Sequence, residues 1–204
     1  MNPARKILNA LTERASAKLW TQMRSVLDAT AVAGSGGVLF FGDSITILGR
    51  WEMMFPGLRT ANFGIPGETS AHLLQRLEPV IRVRPSKLFL MIGTNDLSRG
   101  VTVPEIAGNV AAILQRLRSE LPGCRVYLQT ALPRNRKYSE RLRALNARYT
   151  EIARAHGAVL VDLFPLFDDG SGQIRAEFSN DELHLLGPGY LVWRDAIASH
   201  VLDA

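Results

Sequence analysis

Cysteine is almost absent from this 204-residue chain, where Cys124 stands alone. A single cysteine excludes an intrachain disulfide and every cysteine-based zinc site. Because it follows Pro122-Gly123 at an expected loop-to-strand junction, an inert structural role is assigned to it. Histidine is also scarce, and its four copies lack the His-Glu-x-x-His spacing of a helical metal site. No stretch approaches the roughly 20 consecutive apolar residues that cross a bilayer. Arg5 and Lys6 stand near the N-terminus, but Glu13, Arg14 and Lys18 interrupt what would have to be the apolar centre of a signal peptide. A cytoplasmic protein is therefore expected, with a processed secreted form as the alternative. Blocks of one charge sign are missing too: 24 Lys and Arg are dispersed among 19 Asp and Glu, for a net +5. No aromatic stacking motif of a nucleic-acid module surrounds the densest basic cluster, Arg134-Asn135-Arg136-Lys137. It reads as a solvated loop, and no nucleic-acid partner is expected.

What is present is enough apolar material for one full-sized core, at 47% hydrophobic residues, with no low-complexity linker and no repeat to divide it. A single domain over 1–204 follows, in which residues 1–30 form an N-terminal helical extension. Within it Ile7, Leu11, Leu19, Met23, Val26 and Leu27 are spaced as on an amphipathic helix. Its apolar face could pack on the domain or on a second copy, so a homodimer and a monomer are both open. Short apolar runs then alternate with helical periodicity. Strands are predicted at Val38 to Phe41, around Leu58 to Phe63, at Lys87 to Ile92, at Arg125 to Thr130 and at Ala158 to Asp162. The third is apolar on consecutive positions, as a strand covered on both faces would be. Helices are predicted around Leu73 to Val80, after the cap signal Thr102-Val103-Pro104-Glu105, around Leu142 to Ile152, and after Pro188. The alternation gives an α/β fold, a parallel sheet between helical layers with right-handed crossovers.

Polar groups gather where the strands end. Gly42-Asp43-Ser44-Ile45-Thr46 delivers a hydroxyl to the C-terminal edge of the sheet, where open α/β folds bind ligands, and to the start of a helix, where N–H groups favour developing negative charge. Taken alone, Ser44 could simply cap that helix. The second strand runs into Asn62-Phe63-Gly64-Ile65-Pro66-Gly67, whose glycines permit close backbone approach. The third runs into Gly93-Thr94-Asn95-Asp96. Asp181 and His184, three residues apart before the last helix, can form a pair in which the carboxylate holds one imidazole nitrogen and leaves the other facing outward; a buried structural histidine is the alternative. His72, His156 and His200 have no such aspartate. Asp168-Asp169-Gly170-Ser171-Gly172 lacks the full acidic spacing of a calcium loop and reads as a turn. Leu48, Trp51, Met54 and Leu97 are candidates for lining a pocket, and each could equally be core or surface.

Four of these segments, in order, match one family. Gly42-Asp43-Ser44, Gly64 within Asn-x-Gly-x-x-Gly, Gly93-Thr94-Asn95-Asp96 and Asp181-x-x-His184 resemble the four blocks of the SGNH, or GDSL-type, serine esterases and lipases, over roughly residues 38 to 201. Asn62-Phe63-Gly64-Ile65, Leu132-Pro133-Arg134, Leu183-His184-Leu185 and the helix around Trp20 to Leu27 are similar to the platelet-activating-factor acetylhydrolase Ib catalytic-subunit-like subgroup. The resemblance implies a flavodoxin-like three-layer α/β/α sandwich with a five-stranded parallel sheet, the SGNH hydrolase fold, and neither cofactor nor metal. It implies Ser44 as nucleophile, His184 as general base and Asp181 as its orienting partner. The backbone N–H groups of Ser44 and Gly64 and the Asn95 amide would form the oxyanion hole. Such a serine esterase would act on a small-molecule acyl ester, with acetyl favoured by the subgroup. The alternatives are an acyltransferase or a lysophospholipase/thioesterase using the same residues, or a non-catalytic binding module on the same fold.

Overall fold

The computed structural model describes residues 18–31, 34 and 36–203. Residues 1–17 of the expected N-terminal extension, with Ile7 and Leu11, lie outside these residues; its remainder, 18–30, is helical (α1). Five strands, β1 (Val38–Gly42), β2 (Thr60–Gly64), β3 (Lys87–Met91), β4 (Arg125–Gln129) and β5 (Val159–Val161), form one sheet in the order β2-β1-β3-β4-β5, all parallel. This is the doubly wound order of flavodoxin-like folds, whose ligands bind beyond the C-terminal strand ends at the point where the order reverses. Here the reversal lies at β1, flanked by β2 and β3. Gly42 is paired in register with Gly64 and with Met91, so the segments that follow all three strands emerge side by side.

Alternation along each strand sends side chains into two separate cores. Leu39 and Phe41 of β1 join Leu88, Leu90 and Leu128 beneath α4 (Ser70–Gln75), α5 (Leu77–Val83), α7 (Val103–Glu120) and α8 (Ser139–His156). Val38 and Phe40 join Phe89 and Tyr127 on the opposite face, against α3 (Trp51–Met54) and α9 (Gly187–Leu202). That second core is an aromatic stack: Phe40 lies 3.9 Å from Trp51 and 5.3 Å from Phe89, which lies 4.5 Å from Tyr127. Leu27 of α1 packs on the first core, while Leu19 and Val26 stay exposed.

One predicted helix is divided in two. Its periodicity runs through Leu73, Leu77 and Val80, yet the backbone breaks at Arg76 between α4 and α5. Pro79 is the cause: it has no N–H for the carbonyl four residues back and its ring would crowd that carbonyl, so the helix restarts with the proline in its first turn. The break turns Arg76 inward, where it is 8% exposed. At α7 the expected cap is present, with Thr102 Oγ1 accepting the Glu105 N–H.

Candidate active site

The hydroxyl of Ser44 is available because a neighbour does the capping. Asp43 is the N-cap of α2 (Ser44–Ile47), its Oδ1 accepting the Ile45 N–H at 3.0 Å. Ser44 is therefore the first helical residue, and its Oγ lies 3.0 Å from His184 Nε2. Across the ring, His184 Nδ1 lies 2.7 Å from Asp181 Oδ2. Hydroxyl, imidazole and carboxylate thus form one hydrogen-bonded line, the arrangement in which an imidazole can take a hydroxyl proton while a carboxylate fixes its tautomer. Because α2 spans only four residues, its macrodipole is small. Any stabilisation of negative charge there falls to individual N–H groups.

Six residues shape the imidazole side. Asp181 Oδ1 accepts the backbone N–H of Leu183 at 3.0 Å, that of His184 at 2.7 Å and the Ser179 hydroxyl at 3.2 Å. The chain curls around the carboxylate in this way because Glu182 adopts φ +60°, a left-handed conformation uncommon for a residue with a side chain. Burial pushes the Asp181 carboxyl up, but the hydrogen bonds from the His184 ring and from the His184 and Leu183 backbones outweigh it and bring it down to about 2. The loop is tied outward through Asn135, whose N–H donates to the Glu182 carbonyl at 3.1 Å and whose amide donates to Glu182 Oε2 at 2.5 Å.

The serine side is built differently, by saturating the end of α2. Asn62 Nδ2 donates to the carbonyls of Thr46, Ile47 and Gly49, each at 3.1 Å. Trp51 Nε1 donates to the Thr46 carbonyl at 3.0 Å, and the Tyr190 hydroxyl donates to the Ile45 carbonyl at 2.8 Å. The other end of the Asn62 amide accepts the Gly64 N–H at 3.1 Å, so one side chain locks both the helix that carries Ser44 and the residue expected beside it. Gly64 must be glycine, since a Cβ there would lie 2.4 Å from the Ile47 nitrogen and 2.7 Å from the Asp43 carbonyl oxygen. Asn95, in α6 (Thr94–Ser98), donates from Nδ2 to Asp43 Oδ2 at 3.2 Å and to the Glu68 carbonyl at 3.0 Å. Ser44, Gly64 and Asn95 are thus gathered at adjacent strand ends, with the last two already holding acceptors of their own. Burial pushes the Asp43 carboxyl up to about 7, against the lowering pull of the Ile45 N–H and of His184.

The alternatives left open at the pocket candidates are decided, and the reading of the basic cluster is corrected. Trp51 is fully buried in the aromatic stack and Leu97 is 1% exposed in the other core, so neither lines a pocket; Leu48 is 53% exposed and Met54 packs on the aromatic side. The basic cluster is not wholly solvated. Arg136 and Lys137 are exposed, but Arg134 is half-buried, its Nη1 reaching the Thr94 carbonyl at 3.1 Å and the Ser98 hydroxyl at 2.5 Å beside Asn95. The Asp168 to Gly172 segment is closed by its own backbone, with Asp168 Oδ1 accepting from Gly170 and Gly172. Among the described residues no group of three or more His, Cys, Asp or Glu side chains could hold a metal. No described helix is long and apolar enough to cross a membrane. Burial pushes the Cys124 thiol up to about 12, which removes it as a nucleophile. Concavity does not locate the site: a cavity of about 410 Å³ near Cys124 and His156 and one of about 520 Å³ near Lys87 and Arg125 both open at the opposite, N-terminal edge of the sheet.

The fold and the aligned hydroxyl, imidazole and carboxylate define a class, the three-layer α/β ester hydrolases. The chain belongs to the GDSL-like lipase/acylhydrolase family, whose model matches residues 40–192. It is 32% identical over 163 residues to the rat platelet-activating factor acetylhydrolase IB subunit alpha2, covering 75% of this chain and 70% of that one. A solved structure from Streptococcus pneumonia, provisionally described as a platelet activating factor, superposes with a TM-score of 0.82 at 28% identity, covering 97% of this chain and 98% of the other. The acetylxylan esterase Axe2 of Geobacillus stearothermophilus shares the fold at a TM-score of 0.69 and 20% identity, over 85% of this chain and 97% of its own.

Proposed function

We propose that the protein hydrolyses short-chain acyl esters, acetyl esters foremost, through an acyl-enzyme on Ser44. The observation that carries the reading is the unbroken line from Ser44 Oγ to His184 Nε2 at 3.0 Å and from His184 Nδ1 to Asp181 Oδ2 at 2.7 Å. His184 takes the Ser44 proton as the hydroxyl attacks the ester carbonyl, then returns it to the leaving alkoxide. Asp181 holds the ring and stabilises the imidazolium. Water, activated by the same imidazole, then attacks the acyl carbonyl and releases the acid and the free serine.

The tetrahedral oxygen needs donors, and the three assigned to it are the N–H of Ser44, the N–H of Gly64 and the Asn95 amide. The Ser44 N–H lies in the first turn of α2, where no intrahelical carbonyl precedes it. The Gly64 N–H to Asn62 and the Asn95 amide to Asp43 are at 3.1 and 3.2 Å, at the long end of the hydrogen-bond range. A full negative charge competes well against such partners. Hydrolysis is favoured over acyl transfer because the site is open: the His184 and Asp181 side chains are 35% and 48% exposed, so water reaches the acyl-enzyme. Acetyl preference is supported by the relative named a platelet-activating factor acetylhydrolase subunit.

Turnover of p-nitrophenyl esters of increasing chain length, with Ser44→Ala as control, tests both parts. Acetate hydrolysed fastest, with the activity lost in Ser44→Ala, is the expected result. Undiminished turnover by Ser44→Ala would refute the mechanism, and faster turnover of octanoate than of acetate would refute the substrate class.

A further inference from the structure

The oxyanion side is held in place by a helix that precedes the family-matched segment. Gly64 is followed by the turn Ile65-Pro66-Gly67-Glu68, closed by the Glu68 N–H on the Ile65 carbonyl at 3.3 Å, with Gly67 at φ +73° as the third position of a type II turn requires. The last residue of the turn supplies the carbonyl that accepts from Asn95 Nδ2 at 3.0 Å. The turn therefore sets one of the two acceptors that aim the amide, the other being Asp43 Oδ2 at 3.2 Å.

Two residues of α1 fix the turn. Trp20 covers Gly67 so closely that a Cβ there would lie 2.6 Å from its Cζ2. Arg99 closes the same stack, its Nη2 donating to the Gly67 carbonyl at 2.8 Å while its guanidinium lies 5.6 Å from the Trp20 ring. Arg24 places Nε at 2.8 Å and Nη2 at 2.7 Å from Glu68 Oε1. The Glu68 side chain is 0% exposed, and its second oxygen meets Arg76 Nε at 2.5 Å. Arg76 in turn donates to the carbonyls of Gly42 at 3.2 Å and Phe63 at 2.7 Å, the last turns of chain before Asp43-Ser44 and Gly64. A carboxylate taken wholly out of water depends on its charged partners, and removing one leaves it under-compensated. Glu68 thus joins α1, the ends of β1 and β2 and the Asn95 amide in one network.

We infer that Arg24 and Trp20 are positioning residues, which set the Asn95 amide through the Glu68 turn and make α1 a working part of the active site. For its kinetic readout the inference rests on the acyl-enzyme reading above; its structural readout does not. The test compares Arg24→Met and Trp20→Ala in the full chain, with Val26→Ala on the exposed outer face of α1 as control. Both variants should keep a cooperative melting transition and lose about tenfold in kcat on p-nitrophenyl acetate with KM changed less than about twofold, the pattern of a misplaced transition-state contact. Val26→Ala should match the native chain. In ¹⁵N–¹H spectra of Arg24→Met the Asn95 side-chain amide should move together with the Glu68 backbone. Native kcat in both variants, or an Asn95 amide that does not move, would overturn the inference. Should the native chain turn over no ester, the proposed function fails by itself, and the Asn95 resonances alone decide the positioning.

Discussion

The two halves of the site are held by opposite strategies. Ser44, Gly64 and Asn95 stand at the ends of three paired strands, and each is fixed by contacts that reach far along the chain: Asn62 to α2, Tyr190 to Ile45, Glu68 to Asn95. Asp181 and His184 stand on a half-exposed loop whose decisive contacts, Asp181 to Leu183, His184 and Ser179, span no more than three residues. One half inherits its rigidity from the sheet; the other makes its own from a curled backbone around one carboxylate. The difference teaches that the proposed oxyanion donors and the proposed proton-transfer pair can be perturbed separately.

The sharpest break comes from removing the ends of the line itself. Ser44→Ala and His184→Ala should each lower kcat by roughly 10⁴–10⁶ while leaving the melting transition near native, because neither side chain caps an element or fills the core. Single-turnover assays check this. Equal, small effects on kcat would mean that the line is not the reaction path. Next comes Asn95→Ala, on the sheet-borne half. It should lower kcat by about 10²–10³, equivalent to roughly 3–4 kcal/mol of barrier, with a smaller change in KM. Steady-state kinetics read it directly, and an unchanged kcat would remove Asn95 from the oxyanion site.

The same contrast explains what could be read from the residues alone. Strands buried on both faces announce themselves as apolar runs, and their polar tips follow directly, so the parallel sheet and the places of Ser44, Gly64, Asn95 and Asp181–His184 were legible. Glu68 and Arg76 were not. A glutamate after a Pro-Gly turn looks like a solvent residue, and Arg76 is turned inward only by the helix break that Pro79 imposes. Arg134 was misread for a similar reason, since a run of basic residues carries no sign of which one folds back onto Thr94 and Ser98. The role of Asn62 had a signal, its place two residues before Gly64, but the three carbonyls it serves belong to another segment. Trp51 and Leu97 show the converse limit: apolar residues near a motif do not reveal whether they face a pocket or the core.

Asn62 is the joint between Ser44 and Gly64, and its substitution sharpens the comparison further. Asn62→Ala leaves carbonyls at the end of α2 without a donor, and should lower stability by about 2–3 kcal/mol. Asn62→Asp should be worse, because it keeps an acceptor for Gly64 but turns a carboxylate toward three carbonyl oxygens. Thermal melts of the two variants check the order, and an Asp variant more stable than the Ala variant would show that the cap is dispensable.

The carboxylates of the two halves titrate in opposite senses. Buried Asp43 rises from 3.8 to about 7, so the folded chain holds a proton that the unfolded chain has released, and stability falls as pH rises through that window. Asp181 is lowered to about 2, so its stabilisation is present above its unfolded value and is lost as pH falls toward 2. Its half exposure keeps that second effect small. Asp43→Asn should flatten the decline in stability between about pH 4 and 7, a few kcal/mol at most, while Asp181→Asn should leave that window unchanged. Chemical denaturation across pH measures both. A decline that survives Asp43→Asn would assign it to other groups.

The smallest expected effect tests whether the loop half truly makes its own geometry. Glu182 holds φ +60°, and it is this left-handed residue that lets both the Leu183 and His184 N–H groups reach Asp181 Oδ1. Glycine adopts that conformation freely, whereas a β-branched side chain is strongly disfavoured in it. Glu182→Gly and Glu182→Val both lose the contact to the Asn135 amide, so that contribution cancels in the comparison. The valine variant should then be less stable than the glycine variant by about 1–2 kcal/mol and lower in kcat, since the cost falls on the turn that aims His184. If the two melt and turn over alike, the left-handed turn is not what aims the imidazole. The bond from the Asn135 N–H to the Glu182 carbonyl, which both variants retain, would then be the contact that holds the loop.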